Sequence, residues 1–424
     1  MVDVLVDVSV VRPFIAIVHL CLSSKQPLPE DKTMTIARLL SALSLCAVAM
    51  GAPVYAQEVA RLIPDASFPE GFSFLSGIRE LPDGRVLVAD PIGQVFMRLD
   101  MRSGTADTLG RVGRGPREYI QPDQVFPLPG DSTLLVDLGN ARLTVVGPDG
   151  SFGRTMPMTQ GDPSSGGNFT SIMPRFTDGS GRVYFEPSLL VAPGGAITDS
   201  APVSRFDQAS GRIDTVATVR SQERESQNSR QGGGMAMMIR PIPLSPQDDW
   251  AVGADGRVAV VRASDYHVDW VGPDGGVTSG SPHDVGPVSI RRPEQEQWIE
   301  QEAAAGLNFN WNNNNGQIDI TYMRGLGRGR RADPSHFPWP DLMPPFRAGR
   351  TLVSPAGDVW VERSVAAGSA TTIDVFDSAA QHKGSITLPP GHHVVGFGDE
   401  TVYVTHADEY DLIWLEPFRI SYDL

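Results

Sequence analysis

The chain has 424 residues, 41% hydrophobic and 20% charged, with a formal net charge of −15, so it can bury a sizeable core beneath an acidic surface. That acidity argues against a nucleic-acid partner, because it repels phosphate backbones. Lysine occurs only at Lys25, Lys32 and Lys383, none within Gly-Lys-Ser or Gly-Lys-Thr, which excludes a P-loop and leaves few candidates for a Schiff base.

Met34 opens the order of a secretory leader: a short positive start, the apolar run Leu39–Met50, then small residues ending at Val54-Tyr55-Ala56. Cleavage is expected after Ala56, giving a periplasmic or secreted protein, with Met34 the true start and the preceding stretch an upstream extension. The apolar run is shorter than the roughly 20 residues a spanning helix needs. A lipoprotein reading at Cys46 is the weaker alternative, since Leu45 is not the small residue that lipid attachment wants. Cys21 falls in the upstream extension and Cys46 in the leader, so residues 57–424 hold no cysteine, and cysteine nucleophiles and zinc–thiolate sites are excluded from them.

Beyond the leader, short β-rich runs alternate with turns of two kinds. The first kind is centred near residues 83, 131, 179, 255, 357 and 399, each before a run such as RVLVAD, STLLVD or VWVER. Asp-Gly pairs favour the positive φ of tight hairpins. A second kind follows at Ser103-Gly104, Asp149-Gly150, Ser210-Gly211, Asp274-Gly275 and Ala379-Ala380. The first-kind steps are 48, 48, 76, 102 and 42 residues; steps of 42 to 48 suit one four-stranded propeller blade, and the two long ones mark insertions. The pattern predicts an all-β, six-bladed β-propeller with insertions near 221–247 and 289–344; a β-sandwich is the alternative. Glu58–Ile63 is expected to close the ring beside the last blade, because Pro417 interrupts the final run. Ser221–Met238 reads as a mobile loop, and Pro293–Gly306 as the one helix, between blades four and five.

Residues Gly113–Phe152 (GRGPREYIQPDQVFPLPGDSTLLVDLGNARLTVVGPDGSF) resemble the NHL repeat. Tyr119 stands for its aromatic, Pro122 for its proline, Asp137 for its acid, and Asn140 with Arg142 for its Asn-x-Arg. Blade one keeps Asp90 but lacks the Asn and Arg, and the other blades keep only strands and turns. Pro338–Arg363 also looks like exported six-bladed propellers of bacteria. NHL-type propellers include RNA binders, protein binders, a lyase domain and sensor domains, so the resemblance implies a fold rather than an activity.

Aligning the second strand of each blade places Asp90, Asp137, Glu186, Arg262, Arg363 and His406 at one rim. A ring of mixed charge there could hold a metal, a sugar or a peptide terminus; the alternative is that these side chains cap the following loops. His392-His393 opens the channel-lining strand of blade six, and an inward histidine beside His406 is the acid/base candidate. The second insertion carries Trp298, Trp311 and Trp339, expected either as a lid that stacks on a sugar or peptide or as rings that pin the insertion down. Its Arg324–Arg331 cluster suits a carboxylate or sulfate. The function expected is binding of a small ligand, glycan or partner protein at the channel mouth by a monomer. The alternatives are a lactonase- or lyase-type enzyme using a divalent metal there, and an envelope-assembly scaffold.

Overall fold

The computed structural model describes residues 60–421 except 162–169, 188–197, 232–233, 315–316 and 325–331; side chains within 226–240, 302–305 and 307–321 are also outside the description. The expected leader and its expected cleavage point lie outside the described residues.

Six apolar runs set the architecture. Val86–Asp90, Thr133–Asp137, Val183–Phe185, Val258–Arg262, Val359–Arg363 and Thr401–Ala407 are each the second strand of a four-stranded antiparallel sheet. They lack the polar alternation of a half-exposed strand because both faces are covered: all five residues of Val86–Asp90 and of Thr133–Asp137 are buried. Each buried Val or Leu side chain contributes about 1.5–3 kcal/mol.

The cover comes from neighbouring sheets. Leu87, Ala89 and Phe96 of blade 1 pack with Leu135 and Val146 of blade 2, and equivalent clusters join blades 2 to 3, 3 to 4, 4 to 5 and 5 to 6. Val395, Tyr403 and Leu415 of blade 6 then pack on Ile78, Val86 and Leu99 of blade 1. The chain folds as a six-bladed β-propeller. Its channel is lined by the innermost strands, Ile78–Glu80, Pro122–Pro127, Phe176–Thr177, Asp249–Val252, Phe346–Val353 and His393–Phe397.

Blade 6 is completed from the other end of the chain. Arg61–Pro64 pairs antiparallel with Phe418–Ser421, in the closing place expected of Glu58–Ile63. Pro417 does not break the third strand, Ile413–Ser421; it lacks only a donor, and its carbonyl accepts the Asp65 N–H at 2.9 Å.

One expectation is corrected. The segment read as a mobile loop is a hairpin, with Arg224–Gln231 paired residue for residue with Gly234–Pro241. The second insertion holds another hairpin, Leu307–Asn314 paired with Gln317–Arg324. In both cases a two-residue connection, Gly232-Gly233 and Asn315-Gly316, was the hairpin signal, and polar composition masked it. The helix spans Arg292–Ala305, close to the predicted range. Glu294 in its first turn accepts the Arg291 N–H at 2.9 Å and the Ala367 N–H at 3.1 Å, tying the helix to blade 5.

Candidate functional site

The six residues predicted on one rim do stand at the ends of second strands, yet among the described residues no hydrogen bond or ion pair joins any two of them. The inner strands line the channel, so the ends of the second strands lie one strand further out, over loops or blade junctions. Asp90 is 2% exposed; one carboxylate oxygen accepts the Ile92 and Gly93 N–H groups and the other the Ser73 N–H. Asp137 accepts from Ile120, Gln121 and Asn140 and pairs with Arg142 at 3.3 Å. Asn140 also donates to the Gly113 carbonyl, so the residues carrying the repeat-like motif knit two loops together. These two acids cap loops.

The other four take different partners. Glu186 accepts from the Trp250 indole N–H and lies 3.8 Å from Arg175. Arg262 bonds Asp269 at 2.7 Å and Asp248 at 2.9 Å. Arg363 grips the fully buried Asp374, with one bond of 2.9 Å. Burial pushes the pKa of Asp374 up, but Arg363 and the Tyr266 hydroxyl outweigh it and hold the carboxyl well below its usual range; His382, at 3.6 Å, adds its nearness rather than a hydrogen bond. His406 stacks on His392 with ring centres 4.6 Å apart.

Trp311 lies in a strand whose side chains are outside the description. Trp298 and Trp339 meet edge to face at 5.5 Å with Phe337 against both, so these rings pack on one another. Of the basic cluster only Arg324 is described: it reaches Asp123 with one bond of 3.0 Å and sits over the Phe74 ring.

Around the channel mouth a second set converges. On the inner strand of blade 5, Phe346 pairs with Arg363 and Thr351 with Val361, so four residues, Arg347-Ala348-Gly349-Arg350, stand opposite Glu362 alone. Gly349 takes φ 82°, which an L side chain adopts only with strain, and the bulge brings two arginines into one short turn of chain. Arg347 lies 3.3 Å from Glu362 and also reaches Gln301 of the helix. Glu362, 4% exposed, bonds His393 Nδ1 at 2.8 Å. Burial would raise the Glu362 carboxyl, yet His393, Arg350 and Arg347 outweigh it and hold it at about 2. Burial and the nearby Arg350 push His393 below its ordinary value. An ionised Glu362 only accepts, so His393 Nδ1 carries the proton and Nε2 is left as an acceptor.

Next to this set, Arg175 bonds Asp249 at 2.5 Å and sits over the Trp250 ring, and Asp249 also accepts from the Thr351 hydroxyl at 2.6 Å. Arg350 differs from these neighbours. It is half-buried and, among the described residues, makes no hydrogen bond or ion pair. The sequence reading named His393 but missed Arg347 and Arg350, because it followed the ends of the second strands rather than the inner strand, and it passed over Glu362 for its neighbour Arg363, which points to the other face.

No protein-family model matches the sequence, and no curated protein matches it. Among solved structures, the chain is similar to a gluconolactonase from Xanthomonas campestris at 12% identity and TM-score 0.41, covering 85% of this chain and 89% of that one. A member of the DUF4221 family from Bacteroides vulgatus gives 9% identity and TM-score 0.45, covering 86% and 99%. The calcium-binding protein regucalcin from Agrobacterium tumefaciens gives 12% and 0.39, covering 86% and 95%. Likenesses at this level say nothing about residues or chemistry, and the propeller assignment stands on the sheet order.

Proposed function

We propose that the protein binds a small anionic ligand, of the carboxylate class, at the channel mouth between blades 4, 5 and 6. The observation that carries this reading is Arg350, a half-buried guanidinium that makes no hydrogen bond or ion pair among the described residues, beside Arg347 and within electrostatic reach of Glu362 and His393. A guanidinium in such a place is matched by a planar acceptor able to take two parallel N–H bonds. Calorimetric titration with citrate and with neutral sugars tests the reading. Citrate should bind and Arg350→Ala should weaken it about 10- to 100-fold, the loss of one charge-assisted contact. Equal citrate affinity in the two proteins, or binding of neutral sugars alone, would sink it.

An enzymatic reading is supported by the Glu362–His393 pair, in which a buried carboxylate orients an imidazole whose free nitrogen adjoins a cationic anion site. Under it, His393→Gln would keep citrate affinity and abolish turnover of an anionic ester or lactone. Action outside the cytoplasm rests on the leader at residues 34–56. It is tested by recovering the protein from the extracytoplasmic fraction with Gln57 as its first residue.

A further inference from the structure

The outer corners of blades 4, 5 and 6 repeat one arrangement on the face turned to the preceding blade. Near the end of the second strand stands a basic residue, and on the third strand an acid pairs with the residue two positions earlier. A serine on or beside the fourth strand completes the set. In blade 4 these are Arg262, Asp269, which pairs with Val260, and Ser279. In blade 5 they are Arg363, Asp374, which pairs with Val361, and Ser385, whose hydroxyl reaches Asp374 at 2.7 Å. In blade 6 they are His406, Glu416, which pairs with Val404, and Ser67, whose hydroxyl donates to Glu416 at 3.1 Å. A fourth position, the residue just before the inner strand, is Asp248 in blade 4 and His392 in blade 6.

Blade 4 thus surrounds one guanidinium with two carboxylates, and blade 5 grips its carboxylate with one guanidinium. Blade 6 keeps the carboxylate but replaces the permanent cation by two imidazoles, and among the described residues no Lys or Arg pairs with Glu416. His392 Nε2 and His406 Nδ1 each lie 3.5 Å from a Glu416 oxygen. His392 Nδ1 faces the Pro390 carbonyl at 3.1 Å and must donate to it, so in the neutral ring Nε2 aims a lone pair at a carboxylate. His406 Nδ1 is buried without a hydrogen-bond partner. A lone pair confronting a carboxylate repels it unless a proton or a metal ion stands between them.

We propose that His392 Nε2, His406 Nδ1 and Glu416 hold a divalent metal of the zinc class, with a coordination position left for water. All three ligand atoms lie within 4.8 Å of one another. His392 faces one Glu416 oxygen and His406 the other, each at 3.5 Å, close to the roughly 3.4 Å between ligand atoms of a tetrahedral site with bonds of about 2.0–2.1 Å, and a turn of the carboxylate would bring one oxygen to both. The Pro390 carbonyl supplies the outer hydrogen bond that fixes a ligating imidazole. Two nitrogens and one carboxylate select a borderline metal over calcium or magnesium, which prefer oxygen. A similar trio, His283, Asp374 and His382, is not such a site, because Arg363, Tyr266 and Ser385 already occupy the Asp374 oxygens.

The test is calorimetric titration of the chelator-treated full chain with zinc chloride, repeated with cobalt chloride while recording the visible spectrum. One equivalent should bind, and Glu416→Gln and His406→Ala should each weaken it on the order of 100-fold, at least the upper end of what loss of an outer-shell partner costs. Metal-free melting curves separate lost ligation from lost folding, and Glu416→Gln, which preserves shape, is the decisive variant. His382→Ala should bind zinc like the parent. Absence of binding in the parent, undiminished binding by a folded Glu416→Gln, or loss of binding in His382→Ala would each overturn the proposal.

Discussion

Blades 5 and 6 solve the same corner differently. In both, a third-strand carboxylate sits under a serine hydroxyl and faces the end of the second strand. Blade 5 answers it with Arg363, whose charge is permanent, and with the Tyr266 hydroxyl at 2.6 Å; Asp374 is fully buried. Blade 6 answers it with His392 and His406, whose charge depends on a proton or a metal, and the Glu416 side chain keeps 17% of its surface exposed. A fixed cation suits a corner that only has to hold two blades together. Two half-buried imidazoles suit one that takes up something from solution.

The largest difference should appear on truncation. Arg363→Ala leaves a buried carboxylate without its counter-charge, which costs about 3–5 kcal/mol. His406→Ala removes a half-exposed ring from a carboxylate that water can reach, and should cost less than about 1 kcal/mol in metal-free protein. Urea unfolding at pH 7 measures both, and equal losses would remove the distinction between the corners.

Acid should separate the regions next. The folded-state values of Asp374 and Glu362 are depressed, so each contributes stability that is fully present above the ordinary carboxylate range and is lost as pH falls from about 4 through the folded value. Melting temperature should therefore drop steeply below pH 4. In Asp374→Asn that drop should be shallower, whatever the variant's absolute stability. An unchanged acid slope would mean that blade 5 does not hold its carboxylate as described.

The ring itself could be read from the chain because its cause is local. The second-kind turns place a left-handed residue at Gly104, Gly150, Gly211, Gly275 and Ala380, and an apolar run buried on both faces is legible without knowing its neighbours. Arg350 was not legible, since it depends on a bulge that only the pairing of Phe346 and Thr351 with the next strand reveals. Asp90 and Asp137 were visible as acids at strand ends, but whether such an acid faces the channel or its own loop depends on which backbone N–H groups the loop turns toward it. The pairing of His392 with His406 was half visible: two histidines 14 residues apart were noted, while Glu416 lies in a run whose register with Val404 comes from the sheet.

The smallest effect is also the sharpest. His406→Arg rebuilds in blade 6 the pair that blade 5 already has, since Glu416 stands to residue 406 in the register that Asp374 has to Arg363. A guanidinium can bond the carboxylate in two places, and a partly exposed pair of this kind contributes about 0.2–1 kcal/mol. The variant should therefore unfold at slightly higher urea than the metal-free parent and no longer respond to zinc, because the permanent charge takes the cation's place. If it were instead destabilised while zinc still stabilised it, the two corners would not be equivalent and His406 would not be a ligand.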